Sequence, residues 1–209
     1  FLLFTNSAQA LLPPILNVRV GKSLKNVLVS GFDLKRHLIF NNDLKNYSGK
    51  QTVKFVCHTS SSLNLEKNKP ILLATLESST GIISFQSERY QGQLKVITNP
   101  KGDSCDVVNE VPMETYISSL LTKEMNSNWP LEALKAQAVA ARTYALHKMK
   151  SGQGTKELGN EAFYDLESSE KHQVAGNYLD ATENTILASR LTEGEVLQTE
   201  SGKIEPIFF

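Results

Sequence analysis

The sequence is poor in the features that mark several large classes of protein. Its 209 residues include only two cysteines, too few for a disulfide-dense scaffold. Basic and acidic residues number 22 each, so no net charge draws the chain to nucleic acid or to an anionic membrane. No apolar run after residue 10 approaches the roughly 18 residues of a membrane span. We therefore expect no nucleic-acid partner and no membrane span in the mature protein.

The amino-terminal residues, FLLFTNSAQA, end an apolar run with Ala8, Gln9 and Ala10. This small-x-small pattern is typical of a signal-peptidase site, and it indicates that residues 1–10 are the remnant of a signal peptide. We therefore expect export to the periplasm or cell envelope. A stray hydrophobic strand at the amino terminus is the alternative.

Cysteine and histidine give little sign of a metal site. Cys57 and Cys105 can form one internal bridge in an oxidising envelope, but free buried thiols at strand positions are an equally open interpretation. No histidine has a second ligand at metal-site spacing, so we predict no metal and no cofactor. The four histidines are His37, His58, His147 and His172.

The pattern of apolar residues divides the chain in two. Residues 11–108 alternate short β-type runs with polar turns and predict a mostly antiparallel β subdomain. Residues 109–209 begin with helical spacing, which predicts helices at about 111–124, 130–150 and 177–191. The expected fold is α+β, with a helical centre flanked by β-strands.

Glu124 interrupts the apolar face of the first predicted helix. It lies seven residues after Ile117 and eleven after Met113, so helical periodicity predicts a buried position. A buried carboxylate needs either an ion-pair partner or a proton. The carboxyl end of a helix also disfavours negative charge. Both effects suit a proton donor.

Lys135 and Arg142 lie seven residues apart on the second predicted helix. That spacing places them within about 20° of each other around the axis and about 10 Å apart along it. Ala138, between them, leaves room for a sugar or a carboxylate. A purely structural alternative is equally open, in which Glu124 forms a buried salt bridge with Lys135 or Arg142.

The run at residues 109–146, NEVPMETYISSLLTKEMNSNWPLEALKAQAVAARTYAL, resembles the stage II sporulation protein D / amidase enhancer family. That family shows N-x-x-P-x-E-x-Y-x-x-G-V-x-x-x-E-M followed by W-P-x-E-A-L-K-A-Q-A-V-A-A-R-T-Y. Weaker similarity, including RYQGQLKVI and YDL, extends over most of the chain from about Val18 to Phe209.

The resemblance implies an exported lytic transglycosylase that cleaves the glycan strands of peptidoglycan between N-acetylmuramic acid and N-acetylglucosamine. It implies that Glu124 is the catalytic acid and that Lys135 and Arg142 line the cleft. Trp129 and Tyr144 are candidates for an apolar sugar face, with core packing as their alternative. The expected partners are peptidoglycan glycan strands and other cell-wall hydrolases.

Three departures from the family pattern bear on this interpretation. The Gly-Val pair is replaced by Ser119 and Leu120. Where some members carry a C-x-x-x-H-C zinc cluster, this chain has Glu167, Lys171 and His172, so we expect no family-type zinc site. The serine- and glycine-rich segment that follows the last family strand is not in the sequence.

Two alternatives to the lytic transglycosylase are a noncatalytic wall-binding module that enhances an amidase, and a structural partner with a vestigial cleft.

Overall fold

The strands form two sheets in a computed structural model that describes residues 14–57, 70–98, 103–152, 163–168, 173 and 175–205. The predicted signal-peptide remnant lies outside these residues. The strands are β1 Ile15–Leu24, β2 Asn26–Phe32, β3 Lys35–Leu38, β4 Asp43–Asn46, β5 Lys50–Val56, β6 Leu72–Glu77, β7 Ile82–Phe85, β8 Glu88–Gln91, β9 Gln93–Thr98, β10 Cys105–Pro112 and β11 Leu166–Glu167.

The larger sheet has the order β11-β1-β10-β9-β6-β3-β4, and the smaller has the order β5-β2-β7-β8. Every pair of neighbours is antiparallel except β1 and β11. The α+β prediction is therefore confirmed. The β-type runs of residues 11–108 do not include β4 and β8, because both strands are short and largely polar.

Three α-helices lie in the described residues: α1 Met113–Glu124, α2 Leu131–Ser151 and α3 Glu183–Leu191. Prolines fix the backbone before the first two helices, with φ of −58° at Pro112 and −51° at Pro130. Gly152 ends α2 in the left-handed conformation, with φ of 58°, which glycine adopts without strain. The third helix is shorter than predicted, because a separate 3₁₀ helix occupies Tyr178–Asp180.

Helix α1 is packed into the middle of the molecule. Met113, Ile117, Leu120 and Leu121 are fully buried, and each such side chain contributes about 1.5–3 kcal/mol through the hydrophobic effect. These residues belong to one cluster that also contains strand residues from both sheets. The α1 helix is therefore held by the β-rich part as well as by α2 and α3.

Cys57 and Cys105 form a disulfide, which settles the alternative left open by the sequence. The bond joins the residue after β5, in the smaller sheet, to the first residue of β10, in the larger. Because the two positions are 48 apart in the sequence, the loss of chain entropy in the unfolded state predicts a stabilisation of about 4 kcal/mol.

Within the described residues, no helix has the length and apolar composition to cross a membrane.

Candidate active site

Glu124 is the last residue of α1, and its side chain is exposed. The prediction that it continues the buried stripe is wrong, because the buried positions of α1 stop at Leu121. The chain then turns away at Met125, whose backbone is extended, with φ of −142° and ψ of 156°. No described residue forms a hydrogen bond or an ion pair with the Glu124 carboxylate. Water therefore reaches this group, and it is available to a ligand.

The loop between α1 and α2 presents Trp129 at the surface, where 53% of it is exposed. Asn184 of α3 holds this loop by donating from Nδ2 to the carbonyl of Ser127, at 3.2 Å. The core alternative for Trp129 is therefore wrong. An aromatic face lies in the same loop that follows Glu124, which is the kind of surface against which a sugar ring stacks.

Lys135 makes its described contacts within its own helix. Its Nζ lies 3.0 Å from each carboxylate oxygen of Glu132. The Lys135 side chain is 28% exposed and that of Glu132 is 80% exposed. An exposed pair of this kind contributes little to stability, so the Lys135 ammonium can exchange Glu132 for another anion at small cost.

Arg142 lies inside the molecule, with 1% of the residue exposed. Its guanidinium donates two hydrogen bonds to the Glu114 carboxylate, from Nε to Oε1 at 2.8 Å and from Nη2 to Oε2 at 2.6 Å. It also donates to the carbonyls of Ser189, at 3.2 Å, and Glu195, at 3.1 Å, and to the hydroxyl of Thr192, at 3.4 Å. Every part of the fork thus has an internal acceptor.

These contacts correct the picture of one cationic edge formed by Lys135 and Arg142. The two residues share a helix face as predicted, but one is half-buried and the other is enclosed by α1, α3 and the chain after α3. The predicted buried salt bridge exists with a different acid, because Glu114 and not Glu124 binds Arg142. The prediction that Arg142 binds substrate stays untested.

The importance of Glu114 was not inferred from the sequence. Its carboxylate also accepts a 2.6 Å hydrogen bond from the Ser189 hydroxyl, so it joins α1 to both α2 and α3. The available signal was its place in the motif, where N-x-x-P-x-E ends on Glu114. A pattern of residues does not say which of two acids on one helix faces a distant arginine.

Tyr144 is only 8% exposed, so the core alternative describes it better than a sugar-binding face. The ammonium of Lys148 lies 5.3 Å from the centre of its ring. Burial raises the pKa of the Tyr144 hydroxyl.

Two further contacts fix α1 near Glu124. Lys123 lies 3.6 Å from a carboxylate oxygen of Glu88 and 3.7 Å from one of Asp180. In the interior, Tyr116 donates to the amide oxygen of Gln173 at 3.3 Å. Burial raises the pKa of Tyr116 well above its ordinary value, and the negative charge of Glu124 adds to that increase.

Glu167 stands where some family members carry the first cysteine of the zinc cluster, and here it has a structural role. It lies 2.7 Å from the guanidinium of the buried Arg19, which also contacts Asp106 at 3.2 Å and the ring of Tyr164 at 4.1 Å. Lys171 and His172 lie outside the described residues. Glu167 therefore compensates a buried cation across β1, β10 and β11.

Comparison with known proteins agrees with the motif. The SpoIID family model, described as stage II sporulation protein, matches residues 101–198, which include all three helices. The chain belongs to the stage II sporulation protein D / amidase enhancer family. The amidase enhancer of Bacillus subtilis is 30% identical over 179 residues, which is 86% of this chain and 22% of that protein. The similarity to this relative thus extends beyond the helical centre into the part of the chain that forms most of the strands.

Two other relatives match shorter stretches. The stage II sporulation protein D of Bacillus subtilis is 30% identical over 110 residues, covering 49% of this chain and 32% of its own length. An uncharacterized protein of Brachyspira hyodysenteriae is 44% identical over 86 residues, covering 41% of this chain and 21% of that protein. The chain spans between about a fifth and a third of the length of these curated relatives.

Proposed function

We propose that this protein acts on the bacterial cell wall as a lytic transglycosylase that cleaves glycan strands, with Glu124 as its acid and base. The observation that carries the proposal is the accessibility of Glu124. Its carboxylate is exposed at the end of a firmly packed helix, where the described residues give it no partner. A carboxyl group without an internal partner is accessible to a bound glycan and can exchange a proton with it.

The reaction needs one carboxyl group. Protonated Glu124 donates its proton to the glycosidic oxygen while the bond from that oxygen to C1 of the muramic residue breaks. The resulting carboxylate takes the proton of the C6 hydroxyl as O6 bonds to C1. The products are a 1,6-anhydro end and a free 4-hydroxyl on N-acetylglucosamine, and Glu124 is again protonated. Because the substrate supplies the nucleophile, a second carboxylate is not needed.

Solvent exposure of Glu124 sets a requirement on this mechanism. The bound glycan has to displace water from the carboxyl group before proton transfer is efficient. Trp129 and Lys135 are the surface groups that we assign to glycan contact, one as a stacking face and the other as a mobile cation. We assign Arg142 and Tyr144 to support of the helices from the interior.

The disulfide supports an exported protein. Bonds of this kind persist in oxidising compartments and are rare in a reducing cytosol. Since Cys57–Cys105 links the two sheets, we propose that the protein folds and works in the cell envelope.

A second candidate function is a noncatalytic module that binds the wall and enhances an amidase. The observation in its favour is coverage, because similarity to the amidase enhancer includes 86% of this chain and similarity to stage II sporulation protein D includes 49%. Such a module would bind glycan without changing it.

The test is a digest of purified peptidoglycan followed by mass spectrometry of the soluble products. We expect anhydro-muramyl products from the native protein and none from Glu124→Gln. The matched control is Glu193→Gln, which removes an exposed carboxylate from the residues that follow α3 and should leave cleavage unchanged.

Reducing ends in the products would mean that the protein is a hydrolase and not a lytic transglycosylase. Saturable glycan binding without any product, in both the native protein and Glu124→Gln, would overturn the catalytic proposal and support the module.

A further inference from the structure

A cavity of about 220 Å³ lies beside α1, on the side of Glu114 and away from the exposed end of the helix. Its walls are α1, α3, the 3₁₀ helix and the end of β8. Pockets for drug-sized ligands measure about 300–1,000 Å³, so this one suits a ligand of about one sugar ring or two amino acids.

Three of the polar side chains that line the cavity have no hydrogen-bond partner among the described residues. Gln91, Thr115 and Tyr178 form no side-chain hydrogen bond with any described residue. All three are only partly exposed, so the groups face the cavity and not open solvent alone. Ile186 adds an apolar patch on the α3 side. An amide, two hydroxyls and an apolar patch together match a small polar ligand with a hydrocarbon face.

The charges around the cavity leave one cation in excess. Glu114 is already neutralised by the bidentate contact with Arg142. Arg190, in the last turn of α3, lines the cavity and forms no ion pair with a carboxylate in the described part of the chain. A guanidinium is suited to hold a carboxylate with two parallel hydrogen bonds.

We propose that this cavity binds the carboxylate of a small polar ligand through Arg190, while Gln91, Thr115 and Tyr178 hold the rest of the molecule. The proposal assigns the ligand carboxylate to Arg190 and not to Arg142, because the guanidinium of Arg142 is occupied internally. In a cell wall, muramic acid from which the stem peptide has been removed supplies such a carboxylate, and so does the end of a stem peptide. Only this choice of ligands rests on the proposed function, since binding here does not require Glu124 to be catalytic.

Calorimetric titration of the whole protein with three probes tests the ligand class. N-acetylmuramic acid and D-alanyl-D-alanine carry a carboxylate, and N-acetylglucosamine is the matched sugar without one. We expect at least one carboxylate probe to bind at least about tenfold more tightly than N-acetylglucosamine. Binding of the first alone identifies a sugar acid, and binding of the second alone identifies a peptide end.

Substitution of Arg190 tests the site. Arg190→Gln should lower the affinity for the bound probe by about tenfold or more. The melting temperature of the variant should stay near that of the native protein. Arg89→Gln is the matched control, because Arg89 is an exposed arginine on β8 that does not line the cavity. It should leave the affinity unchanged.

Three results would overturn the proposal: failure of both carboxylate probes to bind, equal affinity for N-acetylglucosamine, or unchanged affinity in Arg190→Gln. The last would mean that Arg190 only favours the end of its helix. Glycan cleavage that depends on Glu124, with no binding of the probes, would contradict this site and support the proposed function. Binding of the probes through Arg190 without glycan cleavage would support the site and contradict the proposed function.

Discussion

The two ends of helix α1 carry acids with opposite fates. Glu114, in the first turn, is held by Arg142 and Ser189, and its side chain is 18% exposed. Glu124, in the last turn, is exposed, and its carboxylate forms no hydrogen bond or ion pair with a described residue. One acid completes a buried network among three helices. The other is left free for a ligand.

The comparison teaches that the periodicity of one helix does not determine which of its acids is structural. The buried side of α1 is set by what packs on it, namely α2, α3, the 3₁₀ helix and β10, and its buried positions end at Leu121. A buried arginine requires an acid, and the first turn of α1 supplies it. The last turn lies beyond this cover.

The largest difference between the two ends should be in stability. Glu114→Gln leaves Arg142 buried without a counter-charge and should lower the free energy of unfolding by about 3–5 kcal/mol. Glu124→Gln is the matched change and should alter it by less than about 0.5 kcal/mol. Denaturant unfolding followed by circular dichroism measures both variants. Equal effects of the two substitutions would contradict the comparison.

Alkaline pH should lower the stability of the fold, because α1 and β8 each carry a buried tyrosine. Burial, assisted by the charge of Glu88, raises the pKa of Tyr90 on β8 to about 12, and the pKa of Tyr116 is raised as well. Below pH 10 these tyrosines are protonated in both states. Above it the unfolded chain loses protons that the folded protein keeps, so stability falls as pH rises towards 12. Tyr90 alone accounts for about 2–3 kcal/mol of this fall.

Denaturant unfolding at pH 8, 10 and 11.5 measures the alkaline effect. Tyr116→Phe removes one of the two groups and should flatten the fall. A stability that is constant between pH 8 and 11.5 would show that neither hydroxyl is buried as described.

A small effect should come from Lys123, next to Glu124. Its two ion pairs, with Glu88 and Asp180, are partly exposed and longer than 3.5 Å. Lys123→Gln should therefore lower the free energy of unfolding by less than about 1 kcal/mol, and less at high salt. A loss as large as that of Glu114→Gln would mean that the exposed end of α1 depends on its charges as much as the buried end.

Much of the helical centre could be predicted from the sequence. Pro112 and Pro130 mark the starts of α1 and α2, and Gly152 marks the end of α2, because these residues restrict or permit particular backbone angles locally. Most strands were found for a similar reason, through their branched residues. The missed strands β4 and β8 are stabilised mainly by pairing with neighbours, which a local pattern does not contain.

The candidate site was predicted less completely. The motif singled out Glu124 and Arg142, but the surroundings predicted for both residues were wrong. Glu124 is exposed, and Arg142 pairs with Glu114. The cavity next to Arg190 was not predicted at all. Its walls come from residues about 100 positions apart in the chain, from Gln91 to Arg190.

The sequence by itself determined the family, the α+β class and the limits of the first two helices, since these depend on local spacing and on residues with restricted backbones. Only the tertiary structure decided that Cys57 pairs with Cys105, that Arg142 is enclosed and that Glu124 is open to solvent. Pairing and burial depend on which segments meet in space. That is settled by the packing of the whole core and not by any one stretch of it.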